Sequence, residues 1–135
     1  MGVLRVAIIE DSKTISQRLT ALVREIDNTE VVGEASTEHD AIALCTAKLP
    51  DMIILDMQLA AGNGLGVMKA MQFNRNIDKP IIIVLTNFPS PIVQRNAIAL
   101  GADYFLDKSF EFNKLLGLIY SIAEAKKATS ASTEL

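Results

Sequence analysis

Tryptophan is absent, cysteine and histidine occur once each, and aromatic residues make up only 5% of the 135 positions. A lone cysteine, Cys45, excludes an intramolecular disulfide framework, so a reducing compartment and a small buried side chain are expected. His39 has no second imidazole and no thiol at ligand spacing, so neither a metal-binding nor a phosphodonor role is expected of it. Basic charge is also scarce: 13 Lys and Arg stand against 16 Asp and Glu, a net charge of −3. Non-specific nucleic-acid binding needs clustered cations to neutralise phosphates, and this balance argues against it. Long apolar runs are missing as well. None approaches the roughly 18 residues of a membrane helix, and the opening MGVLRVAIIED lacks the basic segment and cleavage site of a secretory signal. A soluble, cytoplasmic protein that binds neither membrane nor nucleic acid is the expectation.

What the chain does have is a 50% hydrophobic content, enough for the core of one domain. Periodicity alternates between strands at 4–9, 31–35, 51–56, 81–86 and 103–107 and amphipathic helices at 12–26, 37–48, 64–74, 90–100 and 110–127. Five βα units of this kind make a parallel α/β sheet covered by helices on both sides, with the weaker VVGEA run at an edge. Ser12, Thr37 and the Ser90-Pro91 pair are suited to open helices, while Pro50, Pro80 and Gly101 close helices or begin strands. The domain is expected to span 1–128. The Ser/Thr/Ala-rich end, 129–135, loses its apolar periodicity and reads as a frayed, disordered tail.

The apolar runs end on chemically distinct polar residues. VLRVAIIED delivers Glu10 and Asp11, MIILD delivers Asp56, IIIVLT delivers Thr86, and YFLDK delivers Lys108. Parallel sheets place their sites along the carboxyl edge of the strands, so these five groups should converge there. Three carboxylates suit a hard divalent cation such as Mg2+, and repulsion among them should raise the pKa of at least one when no cation is bound. Asp56, at the end of the central strand, is the best placed nucleophile, and its attack on a phosphoryl group would give an acyl phosphate. Such a transfer requires mainly positioning and charge stabilisation, which Lys108 and the Thr86 hydroxyl can provide beside the cation.

In order, spacing and strand context these residues resemble the response-regulator receiver domains of two-component signalling, over about residues 4 to 125. The matching positions are Glu10 and Asp11, Asp56 in IILD, Gly64 eight residues on, Thr86 in VLT, and Lys108 in GADYFLDKS. The resemblance implies a flavodoxin-like, doubly wound five-stranded parallel sheet of order 2-1-3-4-5 with five helices. It implies Mg2+ as cofactor, held by Glu10, Asp11, Asp56 and the backbone carbonyl of Gln58. It also implies transfer of a phosphoryl group to Asp56 from a sensor histidine kinase or histidine phosphotransferase, so that the domain catalyses its own phosphorylation and dephosphorylation. Thr86 and the aromatic Phe105 would then switch the face built from helix 4, strand 5 and helix 5, for a downstream protein target or a homodimer.

The chain departs from the family pattern at several places. Ser109 follows Lys108 where proline is usual, so a cis peptide is not expected there and Ser109 is suited to cap the last helix. Ala60 replaces the usual proline four residues after Asp56, and Phe105 lacks the hydroxyl of a tyrosine, with Tyr104 on the opposite face of the strand. Gln58 and Phe88 flank the line of attack for water and are expected to tune phosphoryl lifetime.

On the last helix, Phe112, Leu115, Leu116, Ile119, Ile122 and Ala123 form a core stripe that leaves Phe110, Leu118 and Tyr120 off it. Two further readings stand beside the leading one of a stand-alone relay receiver. The GEASTEHDAIAL segment resembles receivers of longer DNA-binding regulators. A phosphatase-like enzyme using Asp56 is the other, although no second Asp follows the nucleophile closely.

Overall fold

The computed structural model describes residues 2–73 and 78–133. Five strands and five helices alternate: β1 (Leu4–Ile9), α1 (Lys13–Arg24), β2 (Thr29–Ala35), α2 (Glu38–Lys48), β3 (Met52–Leu55), α3 (Gly64–Phe73), β4 (Ile81–Thr86), α4 (Pro91–Ala99), β5 (Tyr104–Asp107) and α5 (Phe112–Thr133). All strand pairs are parallel, in the order β2-β1-β3-β4-β5. The expected flavodoxin-like α/β fold is therefore the observed one.

Alternating side chains along the strands build two cores, one on each face. Ala7, Ile9, Ile53, Leu55, Ile82 and Val84 pack with Cys45, Val67, Met68 and Ala97 of α2, α3 and α4. Val6, Ile8, Met52, Ile54, Ile83 and Leu85 pack with Leu19 and Val23 of α1 and Leu115, Ile119 and Ala123 of α5. Every residue of β3 is buried, since the central strand has helices on both sides. β2, at the edge, has no fully buried residue, and its register against β1 slips at Val32, between the Val6–Val31 and Ala7–Gly33 pairs. It also starts two residues earlier than its apolar pattern suggests, because Thr29 and Glu30 pair with Leu4 and Arg5 through backbone alone.

Helix starts follow the caps read from sequence. Ser12, Thr37 and Ser90 accept hydrogen bonds from the backbone N–H of Ile15, Asp40 and Val93 at 3.3, 3.1 and 3.1 Å. Ser109, expected to cap the last helix, does not. Its N–H donates to Asp107 Oδ1 at 2.8 Å, and α5 begins only at Phe112. The Lys108–Ser109 peptide is trans. Leu118, expected off the α5 core stripe, packs against the α1/α5 core, whereas Phe110 and Tyr120 are exposed. The α5 backbone remains helical to Thr133, through the stretch read as a tail, and residues 134–135 of that stretch lie outside the described residues. The end of the predicted third helix, residue 74, lies outside them too.

Cys45 faces the α2–α4 core, fully buried, and burial pushes its thiol from 9.0 up to about 12. The native thiol should therefore resist a disulfide exchange reagent at pH 8 and react once the chain is unfolded. Because the unfolded thiol ionises first, the native state holds the extra proton, and this group's contribution is full below pH 9.0 and is lost between 9.0 and about 12. The loss has a limiting slope of about 1.4 kcal/mol per pH unit. Denaturant titrations from pH 8 to 10.5 should show a shallower alkaline decline for Cys45→Ala than for the parent.

Candidate functional site

Asp56 lies one residue beyond β3, and its N–H donates to Ile9 O at 2.9 Å, which fixes the end of β3 against the end of β1. Glu10 follows β1 directly and donates its own N–H to Ala35 O at 2.9 Å. Lys108 follows β5 and donates its N–H to Thr86 O at 2.8 Å. The ends of all five strands are thus tied by backbone hydrogen bonds, and the side chains of Glu10, Asp56 and Lys108 beyond them meet at one place on the carboxyl edge.

Lys108 Nζ is the centre of the cluster. It donates to both carboxylate oxygens of Glu10, at 2.8 and 2.9 Å, and to Asp56 Oδ2 at 3.0 Å. All three side chains are nearly inaccessible to solvent: 8% for Lys108, 2% for Glu10 and 6% for Asp56. Asp56 Oδ1 accepts the N–H of Gln58 at 3.1 Å, so both oxygens of this carboxylate have fixed partners. Asp11 is exposed, yet Glu10, Asp11 and Asp56 each offer an oxygen within 4.8 Å of the others.

The electrostatics follow from this burial. Glu10 is pushed up to about 7, first by loss of water, with Lys108 pulling it back and Asp56 adding to the rise. The sequence anticipated a raised carboxyl through repulsion, but desolvation contributes more. Burial draws the pKa of Lys108 down, and its hydrogen bonds to Glu10 and Asp56 outweigh that, leaving it above its ordinary value. A buried carboxyl with a raised pKa beside two other carboxylates suits a donor set completed by a divalent cation, since added positive charge would favour the ionised form of all three. The residues present therefore fit Mg2+.

Thr86 is buried at the end of β4, and its Oγ1 accepts the N–H of Phe88 at 3.3 Å. The Phe88 side chain is exposed, as is that of Gln58, whose backbone pairs with Asn63 across the loop after β3. Phe105 is half-buried and packs against the α2–α4 core, while Leu106 belongs to the α1/α5 core. Strand alternation puts Tyr104 on the Leu106 face, opposite Phe105 as expected. Ile98, Tyr104, Phe105, Lys114 and Leu118 line a groove of about 360 Å³ between α4 and α5 across β5. His39 is exposed on α2.

Two contacts had no legible signal. The pair of hydrogen bonds from Lys108 to Glu10 joins residues 98 positions apart. Glu38, which no motif singled out, reaches the loop after β3 through Asn63.

Residues 6–120 match the family model described as the response regulator receiver domain. The chain belongs to that family. Receiver domains of solved structure share the fold. That of Thermotoga maritima CheB is 22% identical, with a TM-score of 0.77, covering 93% of this chain and 97% of its own. The receiver domain of a Luxo repressor protein from Vibrio parahaemolyticus is 25% identical, with a TM-score of 0.81 over 96% and 97% of the two chains. The chain is also similar to a structure of the CheX–CheY–BeF3–Mg2+ complex from Borrelia burgdorferi, at 19% identity and a TM-score of 0.76 over 88% of each chain. In this receiver, no helix among the described residues is long and apolar enough to cross a membrane.

Proposed function

We propose that this receiver accepts a phosphoryl group on Asp56 from a phosphohistidine of a sensor kinase or histidine phosphotransferase. The observation that carries the reading is the buried contact of Lys108 with Glu10 and Asp56 inside a cluster of three carboxylates. A solvated surface cluster would not exclude water in this way, and a core would not assemble four charges. Mg2+, held by Glu10, Asp11, Asp56 and the Gln58 carbonyl, would supply charge neutralisation at the phosphoryl oxygens. The similar CheY complex, which contains BeF3 and Mg2+, supports that assignment.

The chemistry asked of the protein is then short. An oxygen of Asp56 forms a bond to phosphorus as the phosphorus–nitrogen bond of the donor imidazole breaks, and the electron pair leaves with the imidazole. Lys108 transfers its hydrogen bond from Asp56 to a phosphoryl oxygen, keeping its contact with Glu10 so that the ammonium stays in place. The Thr86 hydroxyl turns from the Phe88 N–H toward the phosphoryl group. That withdrawal leaves room beneath α4 for Phe105 to follow, coupling the site to the α4, β5 and α5 groove, where a protein target or second copy binds.

Intact-mass measurement after incubation with acetyl phosphate and Mg2+ tests the reading. One phosphoryl adduct is expected, absent without Mg2+ and absent in Asp56→Asn. Retention of the adduct in the variant would overturn it. Gln58 and Phe88, exposed beside the site, should set the lifetime of the adduct by limiting water, so Gln58→Ala and Phe88→Ala are expected to change the decay rate several-fold. Identical decay curves would remove that role.

Similar structures include a LuxR-family DNA-binding response regulator from Staphylococcus aureus and a LuxR-family two-component response regulator from Aurantimonas, which favours a second reading in which this domain governs a DNA-binding output. Fusion of the native reading frame to a DNA-binding segment would establish it.

A further inference from the structure

The helix after the phosphoacceptor loop has an incomplete cap of its own. Asn63 precedes α3, and its Oδ1 accepts the N–H of Gly66 at 3.0 Å. In a complete capping box the side chain at the third helical position reaches back to the N–H of the capping residue. Here that position is Gly66, which has no side chain. The missing acceptor comes instead from Glu38, the first residue of α2, whose Oε1 takes the Asn63 N–H at 3.1 Å across 25 residues of chain.

The surroundings leave space for this carboxylate and for little else. A Cβ built on Gly66 would collide with both carboxylate oxygens of Glu38. One built on Gly62 would lie 2.5 Å from Glu38 Cβ and 2.7 Å from its Oε1, and Gly62 has a φ of +79°. The backbone adds two ties between the same segments, Glu38 N–H to Ala61 O and Ala60 N–H to Ser36 O, each at 2.9 Å. The negative charge also rests at the N-terminal end of α3, where the helix dipole favours it.

We propose that Glu38 is a positioning residue for the phosphoacceptor loop. By completing the α3 cap from α2, it fastens residues 58–63 to the start of α2 and so holds the Gln58 backbone, whose N–H orients Asp56. The inference rests on the receiver reading above for its effect on phosphorylation, but the fastening itself does not depend on it.

The test compares Glu38→Ala, Glu38→Gln and the double variant Glu38→Ala/Gly66→Gln. Amide hydrogen exchange of residues 58–63 without metal reports the fastening, and the initial rate with acetyl phosphate and Mg2+ reports its consequence. Glu38→Ala should raise exchange at 58–63 and lower the initial rate, each by about 5-fold or more. Glu38→Gln keeps an acceptor oxygen and should stay near the parent in both. The double variant, with a cap restored inside α3 but no link to α2, should recover thermal stability and not the rate. Parent-like exchange and rate in Glu38→Ala would overturn the proposal, as would equal losses in Glu38→Gln or full recovery of the rate in the double variant. If the parent protein takes no phosphoryl group, the receiver reading fails, while the exchange data still decide whether Glu38 holds the loop.

Discussion

Lys108→Met is expected to leave a folded protein that gains phosphoryl groups at least ~100-fold more slowly from acetyl phosphate, the loss seen when one preorganised charge is removed from a transition state. The substitution keeps most of the aliphatic stem and deletes the ammonium that contacts Glu10 and Asp56. Two effects on stability compete. Deleting one partner of a buried charge cluster costs about 3–5 kcal/mol when the others stay ionised. Glu10, already raised to about 7, can instead take up a proton and remove much of that cost. A net loss of about 1–2 kcal/mol at neutral pH is the expected balance. Without the ammonium no positive group of the protein competes with the proposed cation, which would displace the proton from Glu10, so Mg2+ should stabilise the variant more than it stabilises the parent. Denaturant unfolding with and without Mg2+, together with the phosphorylation rate, checks both parts. A variant phosphorylated at the parent rate would mean that the Lys108 ammonium takes no part in the chemistry.

Gly64→Ala is the second large effect, and its origin is steric. Gly64 is buried at the start of α3, and its N–H donates to Met57 O at 2.9 Å. An added Cβ would lie 2.6 Å from the carbonyl oxygen of Asp56 and 3.1 Å from Met57 Cα, and it would also meet the Met57 methyl group. Backbone atoms cannot rotate aside as a flexible side-chain end can, so the strand end bearing Asp56 must move. Overpacking of this kind costs about 1–3 kcal/mol. A displacement of the order of an ångström at a reacting group can lower its rate by about 10²-fold. Chemical denaturation should show the first loss and phosphorylation kinetics the second. Gly117→Ala is the control, since a Cβ there meets nothing within 4 Å. Equal behaviour of the two variants would contradict the packing argument.

How much could be read in advance followed from how local each signal is. The strands of the central sheet were legible because IIIVLT and MIILD are apolar on both faces, and their polar ends named Asp56 and Thr86 directly. Helix starts were legible where one hydroxyl satisfies an N–H three residues on, as Ser12, Thr37 and Ser90 do. Ser109 resembled them in sequence, but it lies inside a turn in which the N–H groups of Phe110 and Glu111 donate to Asp107 O and that of Ser109 to Asp107 Oδ1, and the helix begins only at Phe112. Leu118 was misplaced because a stripe drawn at fixed spacing does not register that α5 meets both α1 and β5. The convergence of Glu10, Asp56 and Lys108 was legible from topology. That Lys108 also donates to both oxygens of Glu10 was not, since that depends on burial of the assembled site. Glu38 was illegible for a similar reason: its partner is the backbone N–H of Asn63, and a backbone group has no residue signature.

The most direct test of the account is to trap the acyl phosphate. Protein treated with acetyl phosphate and Mg2+ is reduced with sodium borohydride, which converts an aspartyl phosphate to homoserine, and the digested chain is sequenced by mass spectrometry. The account predicts homoserine at position 56 and nowhere else, only in the sample that received both donor and Mg2+. Homoserine at another aspartate, or a stable phosphoryl group on His39 or a serine with Asp56 unchanged, would contradict it.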